Sequence, residues 1–165
     1  MKERRALLLL GANLGDRAAT LRRALRELGR LDGTRLVAAS RFYETAPVGP
    51  SDEPYLNAAA AVVTTRTAMG LLVEAKRLEA AAGRRPGVRW GARALDVDLI
   101  ALGSERVRTP WLTVPHPLTA ERPFALAPLR EVSGGWKVDG RRTAVALYAA
   151  MKPDPRIVRL WSRGR

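Results

Sequence analysis

From position 95 to position 102 the chain reads Leu-Asp-Val-Asp-Leu-Ile-Ala-Leu. An apolar run of this length predicts a buried strand, yet two aspartates stand inside it. Aspartate is disfavoured in strands, and a buried carboxylate without a partner is costly. The period of two resolves the conflict. Leu95, Val97 and Leu99 share one face, and Asp96 and Asp98 share the other, about 7 Å apart. The fold must bury the first face and offer the second to something that neutralises two like charges. A divalent cation does so. Oxygen donors with no adjacent His or Cys suit a hard ion, magnesium in preference to zinc. The alternative is a solvated strand face paired with nearby arginines.

The residues upstream favour the metal. Arg84, Arg85, Arg89 and Arg93 fall within ten residues, with Trp90 among them and Gly87 and Gly91 supplying mobility. Guanidinium groups hold phosphate oxygens in bidentate fashion. A carboxylate pair plus an arginine loop is a set suited to phosphoryl transfer, in which metal bridges phosphates and a closing loop excludes water. The stretch Gly11-Ala12-Asn13-Leu14-Gly15-Asp16 has two glycines but no following Lys-Ser/Thr, so a nucleotide site here is not a P-loop. His116, the one histidine, is flanked by Pro115 and Pro117. Tyr55 and Asn57 fall on one strand face, Phe124 follows Arg122 after a turn, and Glu79 lies beside an apolar helical stripe.

Around this strand, local patterns predict an alternating order. Residues 6–10 are a short buried strand. Residues 16–31 are an amphipathic helix capped by Asp16, with Leu21, Ala24, Leu25, Leu28 and Leu31 on one stripe. Residues 35–44 read as one strand ending at a Pro/Gly-rich loop. In residues 56–66 the alanines favour helix while Val62, Val63, Thr64 and Thr65 favour strand; they read as a third strand because a better helix begins at once, over 68–82, capped by Thr67, with Leu71, Leu72, Ala75 and Leu78 inward and Gly83 at its end. Strand, helix, strand, strand, helix, strand predicts an α+β, ferredoxin-like βαββαβ core, with helices packed on one face of a mainly antiparallel sheet. Beyond it, a loop leads to short helices near 123–131 and 143–151 in a C-terminal extension, and the tail after Pro153 carries no signal.

Composition narrows the class. The chain has 165 residues, 47% of them hydrophobic and 27% charged, the balance of one globular domain with its own core. Cysteine is absent, which excludes disulfides and thiolate metal sites and fits a reducing cytoplasm. The N-terminal apolar run stops at Leu10, too soon for a secretory signal, and no apolar stretch approaches the ~20 residues that span a bilayer. Twenty-nine Lys and Arg against 16 Asp and Glu give a net charge of +13. Such an excess attracts polyanions, although the arginines are scattered. On the residues alone, a nucleic-acid-binding sheet and a metal-dependent phosphohydrolase stay open beside a phosphoryl transferase.

Four co-ordered stretches carry a resemblance. Residues 89–100, Arg-Trp-Gly-Ala-Arg-Ala-Leu-Asp-Val-Asp-Leu-Ile, resemble the signature of the 6-hydroxymethyl-7,8-dihydropterin pyrophosphokinase family of folate synthesis. Residues 7–17, 41–59 and 113–129 are similar to that family's opening strand and first loop, its second loop, and its nucleotide- and pterin-lining segment. The resemblance spans about residues 6–132. It implies transfer of pyrophosphate from ATP to the pterin hydroxymethyl group, with AMP released, by one cytoplasmic, monomeric domain over residues 1–165 that binds neither nucleic acid nor membrane. It implies two magnesium ions on Asp96 and Asp98, with Arg84 and Arg93 on the triphosphate as catalytic groups. Lys76, Glu79, Arg84, Arg89, Arg93, the Leu99 backbone, Thr113, His116 and Arg122 are then on the ATP side. The pterin falls between Tyr55 and Phe124, its polar edge at Asn57 and near Thr45 and Val48, with Trp90 in the loop above. Lys76 stands where the family often has Gln, and Trp111 where a basic residue is frequent.

Overall fold

The structure, a computed structural model, describes residues 2–46, 53–83, 94–154 and 158–162. Its centre is β1 (Arg4–Ala12), which pairs antiparallel with β4 (Tyr55–Thr64) on one side and β5 (Asp96–Leu102) on the other. Leu7, Leu8, Leu9 and Leu10 are all buried. A strand that reads as a continuous apolar run is one covered on both faces.

The two local caps form as the sequence predicts. The Asp16 carboxylate accepts the Ala19 N–H at 2.9 Å and starts α1 (Arg17–Arg30). The Thr67 hydroxyl accepts the Gly70 N–H at 3.0 Å and starts α2 (Ala68–Ala81). Gly83, at φ +87°, follows α2 in the left-handed region that favours glycine.

The strand expected over 35–44 is two strands. β2 (Thr34–Ala39) and β3 (Tyr43–Thr45) both lie antiparallel on β4. The break is at Ser40, whose hydroxyl donates to the Arg41 carbonyl at 2.7 Å and accepts the Ala59 N–H at 2.8 Å. A side chain thus takes over hydrogen bonds the ladder would make. The stretch after residue 103 holds more than helices. A hairpin of β6 (Val107–Arg108) and β7 (Thr113–Val114) precedes α3 (Pro123–Val132) and α4 (Ala144–Met151), and the tail supplies β8 (Val158–Leu160) on the outer side of β3. The sheet runs β5-β1-β4-β3-β8, with β2 also on β4, and every pairing is antiparallel.

The expectation of helices on one face is met by α1 and α2 alone. Leu21, Leu25, Leu28, Leu71 and Ala75 pack against Leu8, Leu10, Ala58, Ala60, Val97 and Leu99. The opposite face is covered as well: α3 and α4 bring Leu126, Leu129 and Leu147 onto Leu7, Leu9, Ala59, Ala61 and Ile100. Leu72 and Leu78, expected inward, are only partly buried at the margin of the first core. Among the described residues no helix is long and apolar enough to cross a membrane.

Candidate active site

The site lies on the α3 side of the sheet, at the N-terminal end of α3, where the α3–α4 cover stops. Register builds its floor. Asp96, Gly11, Asn57 and Tyr43 stand in line across β5, β1, β4 and β3; Asp98, Leu9 and Ala59 form the next row, and Thr45 faces Tyr55. Above these rows is a cavity of about 220 Å³, lined by Leu9, Gly11, Thr45, Ala46, Tyr55, Asn57, Asp96, Asp98, Arg122 and Phe124. That is below the ~300–1,000 Å³ of drug-sized ligand pockets. Its volume is on the scale of one small flat ring system.

Gly11 keeps the floor open. A Cβ there would sit 3.1 Å from Asn57 Oδ1 and 3.9 Å from the Tyr55 ring. The sequence reading gave Gly11 no such part, although a glycine inside a strand is the ordinary signal of close approach. Asn57 is 97% buried and donates from Nδ2 to the Thr45 hydroxyl at 2.9 Å. That bond fixes one polar edge beside two aromatic rings. Arg122, at the head of α3, lies 5.7 Å from the Phe124 ring centre in a cation–π contact. Tyr55, Phe124, Asn57, Thr45, Asp96, Asp98 and Arg122 are therefore brought to one cavity.

Charge is concentrated at the β5 wall. Burial, and then the neighbouring charge of Asp96, push the Asp98 carboxyl above the usual range, against the pull of His116 and Lys76. Burial holds the His116 imidazole below its usual value, partly offset by Asp98. The His116 backbone N–H is tied to the Ile100 carbonyl at 2.9 Å, and its Nδ1 is buried with no hydrogen-bond partner. The two carboxylates fit a hard cation. They share a face and repel. Among the described residues no third His, Cys, Asp or Glu joins them to complete a metal cluster. Magnesium is commonly held by one or two carboxylates, with water and substrate phosphates completing the shell.

The remaining expected residues are spread around this wall. Thr113 is in β7. Leu99 turns its side chain into the α1–α2 core and has only its backbone to offer a ligand. Lys76 and Glu79 lie on α2, behind β5; Lys76 donates to both Glu79 oxygens at 3.0 Å, and Glu79 is 1% exposed. Arg84, Arg85, Arg89, Trp90, Arg93 and Val48 lie outside the described residues. Leu9 and Ala46 line the cavity without having been expected there.

Residues 7–134 match the family described as 7,8-dihydro-6-hydroxymethylpterin-pyrophosphokinase (HPPK). The chain belongs to this family. It is 41% identical over 152 residues to the 2-amino-4-hydroxy-6-hydroxymethyldihydropteridine pyrophosphokinase of Methylorubrum extorquens, covering 92% of this chain and 94% of that one. The Haemophilus influenzae protein of the same name is 39% identical, with 78% and 81% covered. Among solved structures, an HPPK-DHPS in complex with substrates superposes with a TM-score of 0.73 at 12% identity, over 92% of this chain and 44% of that chain. The Plasmodium falciparum HPPK-DHPS with pterin and p-hydroxybenzoate gives 0.71 at 15%, over 91% and 43%. The chain thus spans less than half the length of these two, and at such identities the likeness concerns the fold.

Proposed function

We propose that this chain transfers the terminal pyrophosphoryl group of ATP to the hydroxymethyl group of 6-hydroxymethyl-7,8-dihydropterin, releasing AMP, as a step of folate synthesis. The observation that carries the reading is one cavity with two walls of different chemistry: aromatic rings and a buried amide on one side, two aspartates on the other. The strand order β5-β1-β4 followed by β2 and β3 supports a ferredoxin-like arrangement of the core. The reading includes one pyrophosphokinase domain over residues 1–165, acting as a monomer in the cytoplasm on these two small molecules, with neither nucleic acid nor membrane as partner.

The described residues have parts that their positions make possible, and the resemblance supplies those of Val48, Arg84, Arg89, Trp90 and Arg93. Tyr55 and Phe124 hold the flat ring by stacking. Asn57 and Thr45 meet its hydrogen-bonding edge, and Val48 lies near in sequence. This orientation aims the hydroxyl at the β5 wall, where proximity replaces a bimolecular encounter. The hydroxyl oxygen bonds to the β-phosphorus of ATP as the bond from that phosphorus to the α,β-bridging oxygen breaks; AMP departs with that oxygen, and the hydroxyl proton is lost to solvent. Asp96 and Asp98 would hold two magnesium ions, which supply charge neutralisation across the triphosphate. Arg122 and His116 flank that wall, and Arg84, Arg89 and Arg93 add guanidinium charge for the phosphates. Thr113, Lys76 and the Leu99 backbone border the nucleotide side. The family resemblance assigns Trp90 to the pterin side.

The test is a product assay with ATP, magnesium and the pterin. AMP is expected, and the AMP signal is expected to vanish in Asp96→Ala. ADP in place of AMP, or pyrophosphate released without any need for the pterin, overturns the reading.

A further inference from the structure

Glu79 is buried where a leucine would pack. It is 1% exposed on the inner side of α2, and among the described residues no other charged side chain is buried as deeply. Burying a carboxylate is costly unless its oxygens are matched. Its Oε1 accepts the Val97 N–H at 3.0 Å, and both oxygens accept from Lys76 Nζ at 3.0 Å. Val97 is the residue between Asp96 and Asp98. Among the described residues β5 is the edge of its sheet, and no further strand accepts this outward N–H. An apolar residue at 79 would leave it unpaired.

We propose that Glu79 is a positioning residue: held by Lys76, it fixes the Val97 peptide and thereby the direction in which Asp96 and Asp98 present their carboxylates to a metal. This rests on the functional reading above and changes the part assigned to Glu79, from contact with ATP to support of the strand behind it. Groups that orient metal ligands commonly matter about 10–100-fold in metal affinity or activity.

The experiment compares Glu79→Ala with Glu79→Gln. The amide oxygen of glutamine can still accept the Val97 N–H, whereas alanine offers nothing. Three readouts are taken: amide hydrogen exchange at Val97 without metal, Mn²⁺ binding by electron paramagnetic resonance with an ATP analogue methylene-bridged between the α and β phosphorus atoms, and the split of kcat from KM for ATP. For E79A the expectation is faster exchange at Val97, Mn²⁺ binding weaker by about 10–100-fold and a parallel fall in kcat. E79Q is expected to recover most of all three. If E79A does not fold, E79Q decides alone: retained exchange protection and Mn²⁺ binding support the proposal, and a loss of both overturns it. Unchanged Mn²⁺ binding in a folded E79A also overturns it, as does an equal rise in KM for both variants with kcat intact. A wild type that yields no AMP sinks the functional reading instead, and leaves the exchange and Mn²⁺ results to judge Glu79.

Discussion

The two faces of one sheet are filled from the same strands and do opposite work. On the α1–α2 side, Leu8, Leu10, Ala58, Ala60, Val97 and Leu99 meet two helices in an apolar layer. On the α3–α4 side, the same strands supply Leu7, Leu9, Ala59 and Ala61 to a second core, then continue past it into Gly11, Asn57 and Asp96. In β4 and β5 a polar residue stands next to a buried leucine, Asn57 beside Leu56 and Asp98 beside Leu99, and the extent of the helical cover decides which polar groups become a site. A closed face can be all hydrocarbon. An open end needs polar groups, and those are the groups that can do chemistry.

The contrast is broken most directly by paired substitutions. Asp96→Ala, on the open face, is expected to lower kcat by at least the hundred- to thousandfold seen when one transition-state electrostatic contact is removed, with a nearly unchanged urea midpoint. Leu8→Ala, on the closed face, should do the reverse: a loss of about 2–5 kcal/mol in urea unfolding, with kcat per folded molecule retained. If Leu8→Ala cut kcat as deeply as Asp96→Ala, the two faces would not be separable.

A smaller effect tests the cavity floor. Gly11→Ala places a methyl against Asn57 and Tyr55, so pterin affinity by calorimetry should fall about tenfold while far-UV dichroism stays unchanged. Overpacking of about 1–3 kcal/mol supplies that scale.

The smallest effects compare carboxylates on opposite faces. Glu44, in β3, is paired with Arg159 and with Arg17, the latter at 2.9 Å, and these hydrogen bonds and charges hold its carboxyl below the usual range. A carboxylate with a lowered folded value stabilises the fold above its unfolded value of about 4.3 and loses that contribution as pH falls through the folded value. Glu44→Gln should therefore cost about 1–2 kcal/mol at pH 7 and progressively less toward pH 3. Asp98 is shifted upward, so its ionised form opposes folding. In chelator at neutral pH, Asp98→Asn should raise the Tm; with magnesium supplied, it should abolish AMP formation. A fall in Tm would mean that the carboxylate is paid for by contacts stronger than its repulsion with Asp96.

What could be read from sequence was what local physics decides. Asp16 and Thr67 cap their helices by bonds three residues away, and Asp96 and Asp98 share a face because a strand repeats every two residues. The cavity was partly legible for the same reason, since Tyr55 and Asn57 lie two apart. What escaped depends on distant partners. Ser40 ends β2 only because Ala59 passes beside it. β8 exists because β3 offers an edge, and α3 and α4 cover the second face through contacts that no short window contains. Glu79 was noticed as out of place on an apolar stripe, but its reason, the Val97 N–H, is eighteen residues away.

One feature of β5 reaches beyond its own strand. Leu8 pairs with Leu99 and Leu7 with Ala101, so Ile100 is an extra residue in the ladder, and its carbonyl receives the His116 N–H at 2.9 Å. The bulge works as a phase break. Upstream of it, odd-numbered side chains enter the α1–α2 core; downstream, Leu102 does. A change of length in the distal half of β5 can therefore be absorbed without turning the aspartates over, whereas a single residue gained between Glu79's anchor at Val97 and the bulge would exchange acid face for core face. The acidic pair is keyed to its support on one side and insulated from the rest of the strand on the other.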